Sequence, residues 1–159
     1  MVFVVGWSPV AVAVAVALYL VRMFAVTAFY HRYFSHRSYV LSRPMQFAAA
    51  VLGASAVQRG PLWWAAHHRK HHRSSDRSDD PHSPHAHSFW WSHMGWITTR
   101  GSWRTDISQV PDLVKFPELV WLDRHDRIVP AILLVLLAVL GGVLGSAYPE
   151  LETSAAQMV

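Results

Sequence analysis

The sequence predicts an all-α integral membrane protein in which two transmembrane helices flank a histidine-rich helical region on the cytosolic side. Two long apolar runs occupy residues 9–30 and 128–148, and all eleven histidines lie in the polar stretch between them, residues 31–127. Only 15% of the residues are charged, whereas soluble domains average about 25%. No internal repeat or low-complexity linker divides the chain, so residues 1–159 are interpreted as one unit.

The first apolar run is interrupted only by Arg22. At about 1.5 Å per residue, a run of this length spans the roughly 30 Å hydrocarbon core of a bilayer. Alternating Ala and Val over residues 10–17 leaves a barrel strand as an alternative, but such strands need only about 9–11 residues and alternate apolar with polar positions. A signal peptide is a second alternative, although the run lacks a basic leader and is longer than the usual apolar core of about 7–15 residues.

The second apolar run, residues 128–148, carries no charge. A buried helix of a soluble protein remains an alternative for either run taken alone. Because both runs have the length and composition of membrane spans, we interpret both as transmembrane helices.

Between the runs, residues 44–57 predict a short apolar helix with Pro44 in its first turn. This helix is too short to span and is expected at the membrane interface. Gly60-Pro61 marks a turn, a second helix is predicted from Leu62 to about Arg73, and residues 74–85 are rich in loop-forming residues.

The basic residues predict the orientation. Thirteen of the fourteen Lys and Arg residues lie between the two apolar runs. The positive-inside rule therefore places residues 31–127 in the cytoplasm. The basic residues that give the chain a pI near 9.9 would then form a face beside anionic lipid. Nucleic acid is therefore not expected as a partner.

Two histidine clusters indicate a metal site. The first is H-R-Y-F-S-H, His31 to His36, just past the predicted end of the first membrane helix, and the second is H-H-R-K-H-H, His67 to His72. Positions i, i+3 and i+4 share one face of an α-helix, so His68, His71 and His72 are expected to project together. The alternative is a basic, histidine-rich surface at the membrane interface.

The residue types restrict which metal ions could bind but do not identify one. The chain has no cysteine, which excludes thiolate sites, iron–sulfur clusters and disulfides. Imidazole ligands suit iron, zinc or copper. The zinc-protease pattern H-E-x-x-H is absent, and so are the paired E-x-x-H motifs of soluble carboxylate-bridged di-iron bundles.

The motifs as a set resemble the membrane fatty-acid desaturases. H-R-Y-F-S-H-R-S-Y followed by W-W-A-A-H-H-R-K-H-H resembles the first two histidine boxes of that family, HxxxxH and HxxHH. The likeness continues through D-D-P-H-S-P and F-W-W-S-H-M-G-W, residues 79–96, and covers most of residues 25–130. These segments look like the acyl-CoA Δ9 (stearoyl-CoA) branch, especially its bacterial members.

The resemblance implies a set of metal ligands and neighbouring residues. Two irons are expected in a complete site of this family, and the positions that match its ligands are His31, His36, His68, His71 and His72. His67 is a weaker candidate ligand, because many relatives have a carboxylate or another residue at that position. His82 and His93 match motif histidines that are expected to orient the ligands or to be structural, with direct ligation as the alternative. His85, His87 and His125 are interpreted as surface residues.

The resemblance also suggests where substrate binds. Gln58 and Trp64 match positions near the acyl tunnel of relatives, and Trp90, Trp91 and Trp96 are candidates to line or anchor it. An interfacial aromatic belt is the alternative for these tryptophans. Arg69 and Lys70, with Arg73, are candidates to contact an anionic headgroup such as that of coenzyme A, with a solvated basic face as the alternative.

The activity that the resemblance implies is O₂-dependent introduction of a cis double bond into a long acyl chain, in the synthesis of unsaturated fatty acids. The expected partners are an acyl substrate on coenzyme A, acyl carrier protein or phospholipid, membrane lipid, and an electron donor such as ferredoxin or cytochrome b5 with its reductase. The bacterial plasma membrane is the expected location.

The chain also departs from the family pattern. Complete relatives have four membrane helices and a third histidine box, whereas no histidine follows His125. We therefore expect an N-terminal and central fragment that is inactive alone. A lipid or alkane hydroxylase of the same superfamily and a non-catalytic membrane metal-binding remnant are the alternative functions.

Overall fold

The computed structural model describes residues 5–75, 77–78, 80, 83–85 and 87–159, and within these residues all regular structure is helical. Helix α1 (Pro9–Phe24) continues as a π-helical segment (Ala25–Ser35). Helices α2 (Arg43–Ala54), α3 (Pro61–Ser74), α4 (Pro117–Arg124), α5 (Ile128–Ala147) and α6 (Ala155–Met158) follow in chain order. The prediction of an all-helical chain is confirmed for the described residues.

Between α3 and α4 the chain forms short turns. A π-helical turn (Trp91–Gly95) leads into 3₁₀ turns at Trp96–Thr98, Arg100–Trp103 and Ile107–Gln109. A further 3₁₀ turn, Pro149–Leu151, separates α5 from α6.

The starts of four helices follow local sequence rules. Proline stands in the first two positions of α1, α2, α3 and α4, where a missing N–H has no intrahelical partner to lose. In α1 the Ser8 hydroxyl also accepts the N–H of Ala11 at 3.3 Å. For α3, whose cap residue Gly60 has no side chain, Asp123 of α4 accepts the Trp63 N–H at 2.8 Å.

Two helices are long and apolar enough to cross a membrane by length and composition: Pro9–Ser35, of 27 residues, and Ile128–Ala147, of 20 residues. Only 6% of the apolar window of each is buried against the rest of the chain. The apolar windows of these helices present their side chains outward, as expected of segments that face lipid.

The first of these helices does not end at residue 30, where the apolar run ends. It continues to Ser35 with i→i+5 hydrogen bonds, and the His36 N–H bonds the His31 carbonyl at 3.1 Å. His31 therefore lies within the helix instead of beyond it, and His36 caps it.

The main core lies beneath the histidine-rich region. Its buried residues come from the π-helical segment, α2, α3, α4 and the turn before α4, and they are Tyr30, Tyr33, Phe34, Ala49, Ala50, Leu62, Ala65, Ala66, Val110, Leu113, Leu119 and Leu122. Because this core joins the segments that carry both histidine clusters, it fixes those segments against each other.

A second set of contacts joins the two apolar helices at the ends remote from the histidines. Ser8 and Thr153 share a buried hydrogen bond of 2.7 Å between their hydroxyls. Gly141 and Gly145 of α5 allow the backbone of Thr153 and Ser154 to approach so closely that a Cβ would collide with it. The segment from residue 153 to α6 thereby folds back along α5.

Candidate metal centre and adjoining cavity

Four histidines from two elements converge on one point. His31 and His36 come from the π-helical segment and its cap, and His68 and His72 lie one turn apart on α3. One ring nitrogen from each of the four lies within 4.8 Å of all the others. The Nε2 atom of His36 is 3.1 Å from that of His31 and 3.0 Å from that of His68, and His68 Nε2 is 3.0 Å from His72 Nε2. We call these four residues the histidine cluster.

The π-helical geometry explains how the first pair meets. In an α-helix, residues five positions apart lie about 140° away from each other around the axis. Hydrogen bonds from i to i+5 widen the turn and bring such residues onto nearly the same side. The rings of His31 and His36 accordingly pack edge to face, with centroids 4.6 Å apart.

The cluster fits a metal held by imidazoles. At metal–nitrogen distances of about 2.0–2.1 Å, neighbouring ligand nitrogens lie roughly 3 Å apart, close to the separations found here. Burial is the main cause that lowers the pKa of His68 to about 3, and the nearby His31 and His72 lower it further. The ring is therefore neutral near pH 7 and keeps the lone pair that a metal needs.

His71 takes a different direction from the other box histidines. Its Nδ1 atom lies 2.9 Å from the carboxylate of Asp80, which is fully buried. Its ring centroid is 6.4 Å from that of His68, whereas the His68 and His72 centroids are 4.5 Å apart. The four-histidine cluster does not include His71, and its assignment as a ligand stays a prediction. A carboxylate on Nδ1 leaves Nε2 unprotonated, which is the arrangement usual for metal-binding histidines.

Of the remaining motif histidines, the structure describes His67 and His93. His67 donates from Nδ1 to the Trp63 carbonyl at 3.0 Å, and its ring packs against both Trp63 and Trp96. Burial is the main cause that lowers the pKa of His67. His93 bonds the Phe89 carbonyl at 2.9 Å. His82 lies outside the described residues.

A cavity of about 570 Å³ adjoins the histidine cluster. Its lining includes Gln58, Trp63, Trp64, His67, His68 and Trp96. The Trp64 Nε1–H donates to Gln58 Oε1 at 3.1 Å, and the Trp64 ring stacks on His68. His68 thus belongs both to the cluster and to the cavity wall, and three residues expected to bind substrate, Gln58, Trp64 and Trp96, lie on that wall. Trp90 and Trp91 do not belong to this lining.

The two basic residues expected to contact a headgroup have different surroundings. Arg69 donates all five of its N–H groups within the chain, to Asp112 and to three backbone carbonyls. It therefore offers no free donor to a headgroup. Lys70 is exposed and lines a second, polar cavity of about 350 Å³ beside His67, Arg104 and Asp106.

The sequence did not identify three acidic residues as part of the site. Asp80 pairs with His71, Asp112 pairs with Arg69, and Asp123 of α4 accepts the Trp63 N–H at the start of α3. Asp80 belongs to the D-D-P-H-S-P motif, which is part of the family resemblance and follows the second box closely in sequence. That position was the only sign that Asp80 could contact a histidine of the box. Asp112 is 43 residues from Arg69 and Asp123 is 60 residues from Trp63, and no local pattern marks either carboxylate.

Comparisons of the sequence with known proteins point to one family. A family model described as fatty acid desaturase matches residues 6–151. The chain is 36% identical over 118 residues to an sn-2 palmitoyl-lipid 9-desaturase of Nostoc sp. (strain 36), covering 71% of this chain and 41% of the relative. It is 33% identical over 139 residues to an sn-1 stearoyl-lipid 9-desaturase of Anabaena variabilis, covering 86% of this chain and 51% of the relative.

A third relative differs in the acyl carrier that its name gives. It is a probable acyl-CoA desaturase of Schizosaccharomyces pombe, 34% identical over 112 residues, covering 70% of this chain and 23% of the relative. The chain therefore spans between 23% and 51% of the length of these three curated relatives. No solved structure matches the chain.

Proposed function

Because this chain belongs to the fatty acid desaturase family, we propose that it serves the O₂-dependent introduction of a cis double bond into a long fatty-acyl chain. The observation that carries the proposal is that His68 belongs to two features at once, the histidine cluster and the wall of the tryptophan-lined cavity. An acyl chain in that cavity would lie beside the ligands of an oxidising metal.

Each part of the site has a separate task. His31, His36, His68 and His72 would hold the metal, with His71 held by Asp80 as a further ligand. Two irons are proposed for the complete family site, and bound iron would supply the O₂ chemistry that removes hydrogen from an unactivated methylene pair. The tryptophans exclude water and hold the acyl chain in one register, so that geometry selects the carbons that react.

The reaction requires an external source of electrons. A –CH₂–CH₂– unit, O₂, two electrons and two protons give –CH=CH– and two molecules of water. The chain has no cysteine and so cannot carry an iron–sulfur cluster held by thiolates. We therefore propose a separate donor, such as ferredoxin or cytochrome b5 with its reductase.

The position of the double bond and the acyl carrier are finer proposals. The Δ9 position is supported by the names of the Nostoc and Anabaena relatives. Assignment to the acyl-CoA Δ9 branch, of bacterial type, rests on the motifs, while relatives are named for both acyl-lipid and acyl-CoA substrates. An anionic carrier is supported by the polar cavity with Lys70 and Arg104, which shares His67 with the apolar cavity.

The location is a further proposal that the same features support. The two apolar helices and the family support membrane association. We propose that the histidine-rich region faces the cytoplasm of a bacterial plasma membrane, because nearly all basic residues lie in it.

The proposal is tested by expressing the full chain with iron and a ferredoxin–reductase pair in a host without its own Δ9 desaturase. Iron per polypeptide and fatty-acid products are measured together, with the double bond located by mass spectrometry. A cis-monoene that is absent with the His68→Ala variant would support the proposal and would contradict the expectation that the chain is inactive alone. An alcohol product would indicate hydroxylation instead. Bound iron with no O₂-dependent product would indicate a non-catalytic metal-binding protein and overturn the proposal for this chain.

A further inference from the structure

Arg69 stands between two histidines of the second box but is directed away from the cavity. Its Nε–H donates to the Ser35 carbonyl at 3.0 Å, and one Nη2–H donates to the Phe34 carbonyl at 2.7 Å. An Nη1–H donates to the Gln109 carbonyl at 3.1 Å. The two remaining N–H groups donate to the two carboxylate oxygens of Asp112, at 2.7 and 3.0 Å, and form a bidentate ion pair.

These bonds connect three separate segments. Phe34 and Ser35 form the end of the π-helical segment, where backbone carbonyls have no helical N–H partner. Arg69 supplies those partners from α3, and its positive charge suits the negative end of the helix dipole. The residue that follows Ser35 is His36 of the cluster, and the residue before Arg69 is His68 of the cluster.

Asp112 extends the connection to the other side of the first box. Its Oδ2 atom lies 3.4 Å from the Nε of Arg37, the residue after His36. One carboxylate therefore pairs with two arginines, each adjacent in sequence to a cluster histidine. Burial alone would raise the pKa of Asp112, but the hydrogen bonds and charge of Arg69 outweigh burial and lower it.

We propose that Arg69 and Asp112 are positioning residues that fix the first histidine box against the second, and so set the separation between His36 and His68. The consequence for metal binding rests on the proposed function, in which the histidine cluster is the metal centre. Only arginine suits position 69, because lysine has three donors and no planar fork, whereas the site uses five donors in fixed directions.

The first test measures Co²⁺ affinity of the full, detergent-purified chain by titration, with Co²⁺ as a spectroscopic probe. Arg69→Lys keeps the charge and removes the fork, and we expect it to weaken binding about 10–100-fold, the range typical for residues that orient metal ligands. Asp112→Asn keeps the shape and leaves the three carbonyl bonds in place, so its loss should be smaller. The matched control is Arg124→Lys, at an exposed arginine outside both histidine boxes, which should bind as the wild type does.

A double-mutant cycle tests whether the two positioning residues act as a pair. If they do, Arg69→Lys should weaken Co²⁺ binding less in an Asp112→Asn background than in the wild type. An undiminished effect in that background, or no effect in the first test, would overturn the inference.

A second measurement needs no metal. Because the natural chain has no cysteine, spin labels can be attached at Arg32→Cys and Arg73→Cys, both exposed and one on each connected segment. In the metal-free chain, Arg69→Lys should broaden the distance distribution between the labels, and the exposed Arg124→Lys should leave it unchanged. An unchanged distribution with Arg69→Lys would contradict the inference. A narrow wild-type distribution without Co²⁺ binding would refute the metal centre while leaving the positioning role intact.

Discussion

The Nε2 atoms of His36 and His68 lie 3.0 Å apart, although 32 residues separate the two histidines along the chain. His36 caps the π-helical segment and His68 lies in the middle of α3. This pair therefore joins the two halves of the histidine cluster. A metal ion bound by both halves must lie beside this pair.

Removing either member of this pair should disrupt metal binding. For His36→Ala or His68→Ala we expect most of the bound iron or Co²⁺ to be lost, because each change removes a nitrogen at the junction of the cluster. The measurement is metal per polypeptide after purification. The control is His125→Ala, since His125 is exposed and bonds only the Trp121 carbonyl, at 2.8 Å, four residues earlier. Equal metal content in all three variants would refute the cluster as the metal site.

Asp80 should control the metal-binding form of His71. Asp80→Asn keeps the size of the buried side chain but replaces the acceptor pair with an amide, which weakens the hold on the Nδ1 proton. We expect metal affinity to fall by about 10–100-fold, with no change in helical content by circular dichroism. Retention of wild-type affinity would mean that His71 is not a ligand of the bound metal.

Two glycine substitutions should have opposite outcomes. A Cβ on Gly53 would collide with the ring of Tyr30. That ring is fully buried, and its hydroxyl donates to the Arg59 carbonyl at 3.1 Å, so it has no room to move. We expect Gly53→Ala to reduce stability, because overpacking of about 1–3 kcal/mol exceeds the gain of about 1 kcal/mol from replacing glycine in a helix.

The matched control is Gly142→Ala in α5, where a Cβ meets nothing within 4 Å. This variant should keep or slightly raise the Tm in detergent, while Gly53→Ala lowers it. A Gly53→Ala protein as stable as the control would show that Tyr30 can be displaced.

The ion pair between Arg43 and Glu118 should make stability depend on pH. Arg43 bonds both carboxylate oxygens, at 2.7 and 2.8 Å, and its side-chain hydrogen bond is the main cause that lowers the pKa of Glu118 to about 2 from an ordinary 4.5. A depressed folded-state pKa stabilises the fold above the unfolded-state pKa, and this contribution is lost as the pH falls from about 4.5 toward about 2.

The difference in Tm between the wild type and Glu118→Gln should therefore shrink between pH 6 and pH 3, as followed by circular dichroism in detergent. It should also be small and decrease with salt, because the Arg43 side chain is 62% exposed. A difference that does not change with pH would mean that Glu118 titrates normally.

Composition and pattern were sufficient for much of the architecture. The uncharged run at residues 128–148 coincides with α5, and the short helices predicted at 44–57 and 62–73 correspond to α2 and α3 within three residues at each end. These features depend on local preferences such as apolar length, proline in the first turn and loop-forming residues after the last turn. Such preferences act over a few residues and can therefore be read directly from the chain.

Contacts between residues far apart in the chain could not be predicted from the sequence in this way. The α-helical period predicts that His68, His71 and His72 project together, but it gives no sign that His71 also pairs with Asp80. Arg69 was a candidate for a headgroup contact, and no local pattern marks its partner Asp112, which lies 43 residues away. A side chain that bonds a distant segment leaves no periodic signal beside it.

The sequence by itself determined the helices, the two histidine clusters and the family. Only the tertiary structure decided which histidines meet. His31 and His36 share a side because the first helix adopts π-helical geometry near its end, and they reach His68 and His72 because the core and Arg69 hold that end against α3. The physical reason is that a metal site requires atoms from separate segments about 3 Å apart, and only packing among those segments sets distances of that size.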